Sequence, residues 1–266
     1  MDKELIVQQV LNELRAQNAA KEVKEIAPKM AGSVDLNKCG MTEFVGTAMG
    51  DTIGLVIANL DESLHEILGI DKKYRSLGII GARTGAGPHA ISADEAVKAS
   101  NTEVIIFETS NDTKGGGGHG NLIVFGAEEV SDARRAVEIT LNSLSWAFGG
   151  VVGNEAGFLE VQYTARASHV LAKYFGAELG KAWGLINGCP ASVGMLMADA
   201  AVKAADVKIV KHCSPGHNTC FTSEFTIFVT GDSGAVKQAV LAGKETAIKL
   251  LRTMGGEPEA MAKPYF

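Results

Sequence analysis

Apolar residues along this chain follow two rhythms: a helical spacing in a few long stretches, and short unbroken runs between them. Val7, Val10, Leu11 and Leu14 stand at i, i+3, i+4 and i+7. That spacing predicts an amphipathic helix, with Asp2 and Glu4 in the first turn, where the helix dipole favours acids. Ala133, Val137, Leu141, Leu144 and Phe148 keep one face of a second helix, on which Arg134 and Glu138 are spaced as an exposed i,i+4 pair. Val236, Val240, Ala247 and Leu251 do the same for a third. Short apolar runs predict strands over Phe44–Ala48, Leu77–Gly81, Leu159–Ala165 and Trp183–Gly188. Hairpins are expected to pair Glu103–Glu108 with Asn121–Phe125, and Lys208–Lys211 with Glu224–Thr230. Short helices are expected near Ser63–Leu68 and Ser168–Phe175.

The pattern occurs twice. Ala93–Ser100 reads ADEAVKAS and Ala198–Ala205 reads ADAAVKAA, six identities in eight at an offset of 105. The same offset aligns Leu122–Val124 with Ile227–Val229, and Gly126 with Gly231. A period this long is a duplicated domain, not a solenoid. Upstream, Gly46–Ala48 is matched with Tyr163–Ala165, which places the copies at residues 41–152 and 153–266. Residues 1–40 have no counterpart: a short amphipathic helix is followed by a charged stretch broken by Pro28 and Gly32. Such a segment suits docking better than a core. Helices alternating with strands give an α/β (α+β) fold, a small sheet with helices packed on it, present twice.

Composition narrows the function. At 266 residues the length suits two domains. The net charge is −6 and the longest basic run is the pair Lys72–Lys73, so nothing favours a nucleic-acid partner. No run approaches the roughly 18 apolar residues of a membrane span, and the acidic N-terminus is unlike a secretory signal. Four cysteines make no disulfide framework, which points to a reducing cytoplasm. With 31 glycines and only 6% aromatics, the chain favours close backbone approach over a deep core.

Gly81–Gly87 reads GARTGAG and imitates a nucleotide loop before a helix, which leaves a nucleotide-dependent oxidoreductase as an alternative. Against it, no Tyr is followed four residues later by Lys, and the second copy has GCPASVG instead. His212, Cys213, His217 and Cys220 are metal-ligand types, but their spacing matches no zinc or cluster motif, and no metal is expected. No nucleophile elbow, metalloprotease motif or carboxylate pair stands out, so no catalytic residue and no cofactor are assigned. What remains is two hairpin loops at equivalent places. One holds Lys114, Gly115, Gly116, Gly117, Gly118 and His119; the other holds Ser214, His217, Asn218 and Thr219. Bare glycine amides, with hydroxyl, amide and imidazole groups, offer donors and acceptors to small polar solutes. A ligand-binding regulator is a third reading.

ADEAVKAS and ADAAVKAA, IVFGAEEVSDARRAV and IFVTGDSGAVKQAV resemble the bacterial microcompartment shell domain. EFVGTAMGDTIGLVIANLD, DTKGGGGHG and NEAGFLEVQYTARASHVL resemble its circularly permuted tandem form, the B-type trimeric branch of propanediol- and ethanol-utilisation compartments. The resemblance spans residues 41–266. It implies a structural shell protein without enzymatic activity, set in a microcompartment shell within the cytoplasm. It also implies a homotrimer imitating a hexamer, tiling with other shell proteins, with the hairpin loops lining channels for small polar metabolites. Tile-edge assembly would fall to Lys98 and Lys203. The N-terminal stripe of Val7, Val10, Leu11 and Leu14 would attach the encapsulated enzyme core.

Overall fold

The computed structural model describes residues 40–110, 120–216 and 223–266. Five strands, β1 (Phe44–Ala48), β2 (Thr52–Ile57), β3 (Ser76–Ala82), β4 (Glu103–Ser110) and β5 (Gly120–Ala127), form one sheet in the order β1-β2-β3-β5-β4. A second sheet holds β6 (Val151–Asn154), β7 (Gly157–Thr164), β8 (Ala182–Cys189), β9 (Lys208–Cys213), β10 (Phe225–Gly231) and β11 (Glu259–Ala260), in the order β11-β6-β7-β8-β10-β9. Every pairing is antiparallel. The helices are α1 (Glu62–Leu68), α2 (Ala86–Lys98), α3 (Val130–Ala147), α4 (His169–Phe175), α5 (Ala191–Ala204) and α6 (Ser233–Gly255). Both halves therefore run β-β-α-β-α-β-β-α.

Strands β2, β6 and the two-residue β11 were not foreseen, and the first two change which segments correspond. Val56 pairs with Gly78, and Tyr163 with Gly184. The counterpart of β7 is thus β2, and that of β6 is β1. The expected match of Gly46–Ala48 with Tyr163–Ala165 is one strand out.

Glycines set the distance between layers. A β-carbon on Gly54 would lie 2.5 Å from a methyl of Val137, and one on Gly78 would lie 2.6 Å from the carbonyl of Ala133. In the second half, Gly184 stands in the same relation to Val240, at 2.7 Å. Bare backbone on the central strands lets α3 and α6 settle onto their sheets. Their apolar stripes, Ala133, Val137 and Leu144, then Val236, Val240, Ala247 and Leu251, are buried as the spacing predicted. Arg134 does not pair with Glu138; its guanidinium donates to the carbonyl of Thr42 at 2.8 Å and ties α3 to the start of β1.

The short helices share their punctuation. α1 is capped by the Asp61 carboxylate and stopped by Gly69 at φ 64°. α4 is capped by the Ser168 hydroxyl and stopped by Gly176 at φ 75°. Their packing differs. α4 lies against α2 and β4, whereas α1 buries only His65 and leaves Leu64, Ile67 and Leu68 exposed.

Candidate functional site

The seam between the two sheets joins a buried apolar cluster to a buried polar group. Ala90 of α2 packs with Ala167, Leu171 and Phe175, and Phe107 of β4 meets Phe175 edge-on at 5.1 Å between ring centres. In the middle stands Asp94, fully buried. Its carboxylate accepts from the main-chain N–H of Ser168 at 2.8 Å and from the Ser168 hydroxyl at 2.6 Å, and pairs with the Lys98 ammonium at 2.6 Å. Burial pushes the Asp94 carboxyl above its ordinary value, while Lys98 and Ser168 pull the other way. Lys98 also meets Glu95 at 2.8 Å, and 29% of its side chain is exposed. An open groove follows the seam past Lys98, Thr102, Arg166, Ser168 and Lys173.

The second assembly lysine, Lys203, sits differently. It pairs with Asp199 at 2.6 Å, and 72% of its side chain is exposed. The sequence places the two lysines at matching helix ends; the structure packs one into the seam and leaves the other at the surface.

The glycine-rich loop has a packing explanation. A β-carbon on Gly85 would meet the Phe148 ring at 2.6 Å, and Gly85 adopts φ 84°, where side chains are strained. Gly87 faces the Glu160 carboxyl group of β7, which is 3% exposed and fills the space before the first turn of α2. Burial, with the Glu224 carboxylate nearby, pushes Glu160 well above the usual carboxylate range and favours the neutral acid. A pyrophosphate at this helix start would have to displace Glu160. His89, fully buried, bridges the Gly85 carbonyl and the Thr52 hydroxyl. Its pKa falls to about 4 because burial disfavours the imidazolium.

Beyond Glu160 a polar row crosses the second sheet. Asn187 donates to Glu224 at 3.2 Å and accepts from Thr226 at 2.9 Å. The row ends at Cys213, which is buried against Ala90, Leu185 and Phe228. His212 is exposed on the opposite face of β9. The pair therefore ends a strand instead of sharing a loop, and alternation keeps the two side chains from meeting one ion. No cluster of metal-ligating side chains occurs among the described residues.

Of the pore candidates, Ser214 is described: it follows β9 and is half-buried. Lys114, Gly115, Gly116, Gly117, Gly118 and His119 lie outside the described residues, as do His217, Asn218, Thr219 and Cys220, and the stripe Val7, Val10, Leu11 and Leu14. Residues on either side of both loops end paired strands, Ser110 with Gly120 and Cys213 with Thr226. Sequence reasoning missed Asp94, Ser168 and Glu160. For Asp94 a signal existed, since ADEAVKAS and ADAAVKAA repeat it as Asp199.

A duplicated sandwich whose buried polar groups join its two halves is an architectural module. A model of the BMC domain matches residues 182–255, from β8 to the end of α6. The bacterial microcompartment shell protein PduB of Salmonella typhimurium is 51% identical over 263 residues, covering 97% of each chain. The crystal structure of a trimeric bacterial microcompartment shell protein PduB superposes with a TM-score of 0.81 at 47% identity, covering 85% of this chain and all of that one. EtuB from Clostridium kluyveri gives 0.82 at 54%, covering 85% and 99%. The chain belongs to the bacterial microcompartment shell proteins, a structural family. Among the described residues no helix is long and apolar enough to cross a membrane.

Proposed function

We propose that this chain forms trimeric, pseudohexameric tiles in the shell of a propanediol- or ethanol-utilising microcompartment. The observation that carries the reading is the near full-length identity of about half to PduB, together with the fold shared with its trimeric crystal form. Residues 41–152 and 153–266 are the two shell domains of a tile, and residues 1–40 are an extension. Six such domains surround a three-fold axis. Lys98 and Lys203 serve assembly at the tile edge, against neighbouring tiles. The hairpin loops, Lys114–His119 with Ser214 and His217–Thr219, border the channels for small polar metabolites. The N-terminal stripe holds the enzyme core to the inner face.

Mass measurement and electron microscopy of the purified full chain test the tile. Trimers that grow into hexagonally ordered sheets are expected. A protein that stays monomeric and forms no ordered layer overturns the reading.

A further inference from the structure

The internal seam has a vacant copy at each end of the chain. Within the seam, Ala90, Val97 and Val104 of α2 and β4 pack with Leu171, Tyr174 and Phe175 of α4. Advancing the first set by the repeat offset gives Met195, Val202 and Ile209 of α5 and β9, which are 61%, 37% and 47% exposed. The caps align α4 with α1, Ser168 with Asp61 and Gly176 with Gly69. The second set then becomes Leu64, Ile67 and Leu68, at 40%, 79% and 52% exposure. Both faces are apolar, and their sizes compensate. Where Ala90 becomes the larger Met195, Tyr174 and Phe175 become the smaller Ile67 and Leu68. Two complementary faces on one chain allow a head-to-tail contact, the kind that forms a ring when its rotation closes.

The charges compensate too. In the internal seam Lys98 has two carboxylates, Asp94 at 2.6 Å and Glu95 at 2.8 Å, and the cap it faces is the neutral Ser168. In α5 the counterpart of Glu95 is Ala200, and Lys203 pairs with the Asp199 carboxylate at 2.6 Å. The missing acid reappears across the joint, because the cap of α1 is Asp61.

Resting on the trimeric reading, we propose that α5 and β9 of one chain pack on α1 of a second copy, with Lys203 bridging Asp199 and Asp61 of the partner subunit. At the edge of the tile Lys203 then also serves the joint between two subunits, as the cation that lets two aspartates meet.

The test measures the trimer dissociation constant of the full chain by sedimentation, with circular dichroism as the control for folding. Ile67→Asp and Met195→Asp change exposed side chains and should give folded monomers. Asp61→Ser keeps a competent helix cap. It should weaken the trimer about tenfold, as should Lys203→Ala, with the double variant no worse than either. Adding Ala200→Glu to Asp61→Ser should restore the affinity by rebuilding the internal arrangement. A trimeric wild type whose Ile67→Asp and Met195→Asp forms remain trimeric overturns this seam and leaves the tile reading standing. Additive losses at Asp61 and Lys203 overturn the bridge. A monomeric wild type overturns the tile reading itself.

Discussion

Glu160 occupies the volume that a β-carbon on Gly87 would need, 73 residues earlier in the chain, so one bare α-carbon admits a carboxyl group from the other sheet. The relation reverses the first meaning of the GARTGAG loop. Its glycines make room for protein and leave none for a nucleotide.

Gly87→Ala should therefore damage the seam. The carboxyl group is enclosed, with Leu185 also at 3.2 Å from the new methyl, so nothing can swing into solvent. Overpacking of this kind costs about 2 kcal/mol. Thermal unfolding at fixed protein concentration should show the loss, while Gly81→Ala, whose new atom would meet only Ile53 at 3.9 Å, should stay near wild type. Equal effects at the two positions would refute the argument.

The buried Glu160 and His89 give stability opposite pH dependences. His89 has its pKa lowered from 6.5 to about 4, so its contribution is present above pH 6.5 and is lost as pH falls toward 4. The full effect is about 3 kcal/mol. Glu160 has its pKa raised, so its contribution is full below the ordinary carboxylate value and is lost as pH rises. Glu160→Gln keeps the shape and removes the ionisation. It should be more stable than wild type at pH 8, with the gap closing toward pH 4.5. His89→Gln should flatten the acid side of the profile. Melting curves from pH 4 to 9 decide, and parallel profiles for all three proteins would refute both assignments.

The duplication was legible because its shared helix carries the same residues twice and a glycine follows each second strand. β2 was hidden by the packing that makes it necessary. Its sequence TIGLVI includes Gly54, which weakens a strand pattern, yet only glycine lets Val137 and Leu141 approach there. β6 is four residues long and follows α3 after a single turn at Phe148–Gly150, too short to show an alternation of its own. The buried acids were illegible for a different reason. Asp94 and Glu160 look like surface carboxylates until distant segments cover them, Ser168 in one case and α2 in the other. Conversely, Ile67 and Met195 fit the helical pattern of a core, and nothing local says that the chain which covers them is another copy.

The hairpin loops give a permeability prediction. Both continue from paired strands at equivalent places, and four consecutive glycines, Gly115–Gly118, leave no side chain in the way. Gly116→Trp or Asn218→Trp should slow passage of small polar solutes through assembled shells and leave trimer mass unchanged. Encapsulated reporter enzymes supplied with external substrate measure the flux. Wild-type rates in both variants would remove the loops from the channel.

The N-terminal extension offers the last test. Val7, Val10, Leu11 and Leu14 make a stripe of four apolar residues, too few to hold an isolated helix of that length in water. A stripe of this kind gains stability by burying itself on a partner. The stretch that follows is charged and broken by Pro28 and Gly32, which suits a tether that lets the stripe reach away from the tile. On the function proposed above, that partner is the enzyme core. Deleting residues 1–38 should therefore leave trimers and sheets intact while cargo separates from the shell. Val10→Asp with Leu14→Asp should do the same at full length, by placing two charges on the stripe. Fluorescent cargo imaged inside cells separates the outcomes. Cargo that stays against the shell in both variants refutes the anchor, and a truncated chain that fails to fold assigns the stripe to the core of the first domain.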